Sequence, residues 1–197
     1  MTTEGPPREA EGRAASVPEA TGLLGMRLFL LSLGILFAAS LIGYLVVRAR
    51  APEWPPAGSP GLPAGLWLST GLILASSLSM WRGQVAARGH RAGALSRNLL
   101  ITFVLGVAFL ISQTLNWSVM GERHLIPQAS LFAFTFYVLT ALHGLHVVGG
   151  LIPMGITTVR SGRGRYTAES HAGVRYVAMY WHFLDVVWIV LFVALTA

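Results

Sequence analysis

The chain has no cysteine and no lysine, and only 11% of its 197 residues are charged. Without thiols there is no disulfide framework, no thiolate metal site and no cysteine nucleophile. Without lysine, arginine is the whole basic complement, 14 residues against 8 acidic ones, for a net charge of +6. Such a balance can serve nucleic acid. Here the arginines lie almost wholly between apolar runs, with no aromatics interleaved, so they read as topogenic and lipid-facing and no nucleic-acid partner is expected. No internal repeat is visible, which argues against the inverted-repeat architecture of many secondary transporters.

What the chain does have is apolar length. Hydrophobic residues make up 54% of it, and mean hydropathy is +0.62, values of a polytopic membrane protein. Five stretches lack Asp, Glu, Lys and Arg: Leu28 to Val47, Ala64 to Trp81, Asn98 to Gly121, Leu125 to Val159, and Tyr176 to Ala197, the last broken only by Asp185. Each is long enough as a helix to cross a hydrocarbon core of ~30 Å. The fourth contains Gly149, Gly150 and Pro153, so tilt, a kink or extension past the membrane is expected there. Two short spans in its place would spoil the charge partition described next.

With five spans, the N-terminal tail and the loops Arg82 to Arg97 and Arg160 to Arg175 share one side and hold 11 arginines, leaving Arg48, Arg50 and Arg123 on the other. The positive-inside rule then puts the N-terminus in the cytoplasm and the C-terminus in the periplasm. The expected fold is all-α, a five-helix transmembrane bundle over 26–197 with helices near 26–48, 63–82, 97–119, 127–160 and 173–196. Residues 1–25, rich in proline and glutamate, read as a disordered cytoplasmic arm. They lack the basic start of a signal peptide. The loop Ala51 to Pro63 holds half of the ten prolines and reads as irregular and fairly rigid, with Trp54 as an interfacial anchor.

The candidate site sits in the last two spans. His143, His146 and Gly150 form one stripe on the fourth helix, and the glycine lets a neighbour approach closely. Asp185 lies halfway along the fifth helix, where a carboxylate costs a few kcal/mol or more unless it faces protein. Antiparallel packing brings both positions to one depth, so Asp185, His182 and one of His143 or His146 are expected to form a buried polar cluster, with Trp181 and Trp188 flanking Asp185. Three readings compete: a structural network that fixes helix register, a haem or metal site built from His143, His146 and His182, and a proton relay. The relay needs titratable groups at several depths, and this chain offers one. Ser76, Ser77, Ser79 and Thr70, like Ser112, Gln113 and Asn116, suit close helix contact; no base sits within the same turn to make a nucleophile of any of them.

The run Tyr180 to Trp188, YWHFLDVVW, with HGLHVVGG from His143 to Gly150, resembles subunit III of the haem-copper cytochrome c oxidases. Supporting segments are Tyr166, His171 and Gly173 ahead of the YWHF block, Gln128 to Thr140, Trp67 to Ser77, and Gly106, Phe109 and Gln113. The resemblance covers about Gly25 to Leu195 and implies a five-helix form of a subunit best known with seven. It further implies a multi-pass subunit of the bacterial cytoplasmic (inner) membrane with no haem, copper or catalytic residue of its own. Such a subunit packs on subunit I, holds phospholipid, and works with subunits I and II, which carry the haem and copper, in a proton-pumping oxidase of aerobic respiration. That oxidase takes electrons from cytochrome c, reduces oxygen to water, and can join a larger respiratory supercomplex. The structural roles of His143, His146, His182, Asp185 and Trp181 follow from it. Two departures stand out: Leu33 replaces a glutamate common on the family's first core helix, and Asn116 with Trp117 stands where a glutamate often follows the glutamine. Alternatives are subunit III of a quinol oxidase, a nitric oxide reductase accessory protein, a small transporter and a diheme membrane cytochrome.

Overall fold

The computed structural model describes residues 8–59, 61–166 and 171–196, with side chains from Thr21 onward. Five helices follow one another: α1 Arg8–Arg50, α2 Gly65–Arg88, α3 Ala92–Glu122, α4 Leu131–Gly162 and α5 Ala172–Thr196. No strand occurs among the described residues. The shortest, α2, has 24 residues and is about 36 Å long at 1.5 Å per residue, more than the ~30 Å core requires. Four of the helices are long and apolar enough to cross a membrane by themselves. α2 is the fifth, diluted by Ser69, Thr70, Ser76, Ser77, Ser79 and Gln84, but Ser69, Ser76 and Ser79 of these are buried against the other helices.

Several helix ends differ from the sequence expectation. α2 continues to Arg88 and α3 begins at Ala92, so the expected loop from Arg82 to Arg97 shrinks to Gly89, His90 and Arg91. Alanines 86, 87, 92 and 94 favour helix on both sides. The turn closes through Gly89 N–H to the Val85 carbonyl at 3.1 Å and Arg91 N–H to Ala86 at 3.0 Å, with His90 left-handed at φ 56°. α1 begins at Arg8, well ahead of the expected start near residue 26. Alanines and the early Glu9 and Glu11 are compatible with helix, and extending an existing helix avoids the cost of nucleating one. The first seven residues of the expected arm lie outside the described residues.

α4 is one unbroken helix through Gly149, Gly150 and Pro153. Its N-cap is Ser130, whose hydroxyl accepts from Ala133 N–H at 3.1 Å, satisfying one of the orphan donors of the first turn.

α2 lies along α3, α4 lies against α3 and α5, and α5 touches α1, α2 and α4; among the described residues α1 meets only α4 and α5 of the other helices. The arginine-poor end is fastened by polar contacts: the Tyr44 hydroxyl and Arg48 Nη1 both donate to the Ala194 carbonyl, at 2.8 and 3.2 Å, and Arg123 Nη1 donates to Gly61. Trp54 packs inward between Tyr44 and Phe132 (5.7 and 5.3 Å between ring centroids), so it holds the proline-rich connection on the bundle.

Candidate functional site

The centre of the bundle is built from rings pushed into gaps left by glycines. Trp181, 1% exposed, projects from α5 toward α3 and α4. A Cβ on Gly106 would stand 2.6 Å from its Cη2, and one on Gly150 would stand 2.7 Å from Tyr180 Cε1. No real side chain fits at either place. Gly150 therefore admits neighbouring rings closely, a variant of the helix approach expected from its stripe.

Hydroxyls of α2 take up the indole and imidazole nitrogens of α5. Trp181 Nε1 donates to Ser76 Oγ at 3.0 Å, and Trp188 Nε1 to Thr70 Oγ1 at 3.0 Å. Ser77 Oγ and His182 Nδ1 are 2.8 Å apart, with the tautomer setting the direction. Seven residues before Ser76 and on the same face of α2, Ser69 bonds Ser112 Oγ at 2.8 Å and accepts from Asn116 Nδ2 at 3.1 Å. Ser79 donates to the Asn98 carbonyl. α3 reaches α4 through Trp117 Nε1 to Thr140 Oγ1 at 3.1 Å. Polar bonds of this kind between membrane helices contribute about 0.6 kcal/mol each and at most roughly 1.7, so their effect is to set register.

The expected cluster divides in two. Asp185 meets His182, whose Nδ1 is 3.6 Å from Oδ2, and neither carboxylate oxygen makes a hydrogen bond. His143 does not join them. It is fully buried in a box of rings, 5.1 Å from Trp188, 5.7 Å from Phe109 and 6.3 Å from Phe37. His146 turns its Nδ1 to the Leu142 carbonyl at 2.7 Å, under Phe37 at 5.1 Å. The expectation failed because equal depth does not fix azimuth: His182 reaches across to α2, whereas His143 packs among rings of α1, α3 and α5. The imagined haem ligand set of His143 and His146 facing His182 is thus not assembled. Among the described residues, no three His, Asp or Glu converge on one ion position.

Ser77 does acquire a base, from another helix, which same-turn reasoning could not find. It is no catalytic triad, since the hydroxyl and the carboxylate both address Nδ1 of His182, whereas a relay needs the two ring nitrogens to face different partners. Leu33 is buried at 5% exposure, an apolar core position on α1. Sequence reasoning missed Gly106 as a seat for Trp181 and the pairings of Thr70 with Trp188 and Thr140 with Trp117. His171, which the sequence offered only as part of the resemblance, and Arg175, which it offered only as a loop arginine, lie with Gln84, Arg88 and Val174 around a pocket of about 130 Å³ on the α2–α5 seam.

This fold and site define a class: a polytopic helical membrane protein whose described polar interior joins helices to one another. Within it, the chain belongs to the cytochrome c oxidase subunit III family, whose sequence model matches residues 10–196. It is 39% identical over 173 residues to cytochrome c oxidase subunit 3 of Synechocystis sp., covering 87% of this chain and 73% of the relative. To the same subunit of Thermostichus vulcanus it is 32% identical, over 95% of this chain and 94% of that one. A probable cytochrome c oxidase subunit 3 of Mycobacterium tuberculosis is 36% identical over 82% and 81% of the two chains.

Proposed function

We propose that this chain is the non-catalytic subunit III of a proton-pumping terminal oxidase that oxidises cytochrome c and reduces oxygen to water. It packs on subunit I, beside subunit II, in the bacterial cytoplasmic membrane, and haem and copper reside in those partners. Its own part is architectural. The observation that carries this reading is family membership over nearly the whole chain, and the relatives' names favour a cytochrome c oxidase over a quinol or nitric oxide enzyme, a transporter or a diheme cytochrome. The joints from α2 to α5 fit it, because they tie helices to one another.

The N-terminus lies in the cytoplasm. Arg82, Arg88, Arg91, Arg97, Arg160, Arg163, Arg165 and Arg175 gather at one end of the bundle, and Arg48, Arg50 and Arg123 at the other, the asymmetry the positive-inside rule uses. Phospholipid binds a groove of about 760 Å³ whose apolar wall includes Phe103, Leu151, Ile152 and Ile156, with Arg160, Arg163 and Arg165 at its mouth. Acyl chains suit the wall, and guanidinium groups suit a phosphate.

The test is affinity purification of the tagged chain from its native membranes in mild detergent. Recovery with larger subunits that carry haem and copper supports the proposal. Recovery of the chain alone, from membranes that contain an intact terminal oxidase, contradicts it.

A further inference from the structure

Arginines at the two ends of the bundle meet different surroundings. At the arginine-poor end, Arg48 and Arg123 donate to the Ala194 and Gly61 carbonyls. At the arginine-rich end, where α2 finishes and α5 begins, Arg175 Nε and His171 Nδ1 are buried and make no hydrogen bond. His171 directly precedes α5 and Arg175 closes its first turn, the Arg175 N–H reaching the His171 carbonyl at 3.2 Å. Facing them on α2 are Gln84 and Arg88, also one turn apart, so each pair forms a stripe. The four side chains line a pocket of about 130 Å³. Arg175 lies over the Tyr176 ring, 5.6 Å from its centroid, a contact that holds the guanidinium in place and leaves Nε without an acceptor.

The groups around this pocket call for negative charge. Two guanidiniums donate, His171 donates in the tautomer that carries hydrogen on Nδ1, and the Gln84 amide can turn its NH₂ inward. α5 opens at the pocket with the partial positive charge of a helix N-terminus, and no acidic residue stands in its first turn. Among the described residues the only ion pair is that of His182 with Asp185, elsewhere on α5, so neither arginine is neutralised by the bundle. The space is about four times the ~30 Å³ of a water molecule, room for a tetrahedral oxyanion and none for a base and sugar beside it. A phosphate presents oxygens in several directions and can meet guanidinium forks from both helices, which a planar carboxylate cannot.

We infer that the pocket between the end of α2 and the start of α5 is a phosphate-binding site, with Arg88 and Arg175 answering the charge and His171 and Gln84 orienting the oxygens. It is separate from the groove beside Arg160, Arg163 and Arg165 on α3 and α4. The phosphate is inorganic phosphate or the headgroup of a phospholipid, which offer the same oxygens. The site rests on the pocket's own donors and stands apart from the oxidase role.

The test uses the complete membrane complex that contains this chain, purified in phosphate-free buffer. Binding of radiolabelled inorganic phosphate is measured by equilibrium dialysis, and bound phospholipid is counted by native mass spectrometry. Arg88→Gln with Arg175→Gln is expected to weaken phosphate binding by roughly tenfold or more, or to remove one phospholipid per complex. Weaker phosphate binding at an unchanged lipid count assigns free phosphate, and loss of one lipid assigns a headgroup. Arg91→Gln, at a nearby arginine outside the pocket, is expected to change neither. Where the double variant does not assemble, Arg88→Gln alone, at an exposed side chain, is expected to give the same change in smaller degree. Equal phosphate affinity and lipid count with and without the two arginines, or the same loss from Arg91→Gln, would overturn the site. So would phosphate binding that appears only in Glu169→Gln, because the occupant would then be Glu169, which lies outside the described residues.

Discussion

α1 and α5 are both long apolar helices, yet they occupy the bundle in opposite ways. α1 leaves Leu31, Ile35 and Ile42 at 61, 63 and 61% exposed, while α5 buries Trp181, Leu184, Trp188 and Leu191 to 1% or less. Apolarity decides whether a helix enters the bilayer. Side-chain size decides where it sits, because lipid gives no hydrophobic drive for one helix to leave it for another and close packing supplies the attraction. α5 presents large rings opposite glycines on α3 and α4. Among its described side chains α1 buries Leu33, Phe37 and Tyr44, a single narrow stripe.

That contrast can be broken by substitution, read as unfolding of the purified complex in a denaturing-detergent titration. Trp181→Ala has the largest expected effect, a loss of about 3–5 kcal/mol, because it empties the space between Gly106 and Gly150 and leaves Ser76 without its donor. Gly106→Ala comes next at about 1–3 kcal/mol, since the added methyl meets a ring that cannot retreat. Ser76→Ala removes one interhelical bond and is expected to cost about 0.6–1.7 kcal/mol. Ile35→Ala on α1 is expected to change stability by no more than ~0.5 kcal/mol. If Ile35→Ala costs as much as Trp181→Ala, the difference between the two helices has been misread. A smaller loss for Trp181→Ala than for Gly106→Ala would move the weight from the ring to the tight contact.

The spans were legible because a charge-free run of this length has one ready use, and the arginine asymmetry followed from counting. Helix ends were less so. Arg82, Arg88 and Arg97 read as loop by charge, but long arginine side chains leave a helix easily while their backbone continues it, and α2 runs on to Arg88 while α3 begins at Ala92. At the site, Asp185 and His182 were found together because they lie three apart on one helix. The separation of His143 was invisible, since linear spacing along α4 carries no information about which way α5 is rotated. The same rotation set Trp188 beside Thr70 and His182 beside Ser77, pairings across more than a hundred residues that only the packed bundle reveals.

The account holds that the histidines of α4 pack against rings, His143 without a hydrogen bond at either nitrogen and His146 turned to its own helix at Leu142, without carrying a redox centre. The direct test replaces His143 by Phe, within its box of Phe37, Phe109 and Trp188, and His146 by Gln, then measures haem and copper per purified complex along with the Soret spectrum. The metal content and spectrum are predicted to match the unmodified oxidase. Loss of one haem or one copper equivalent from an assembled complex would contradict the account.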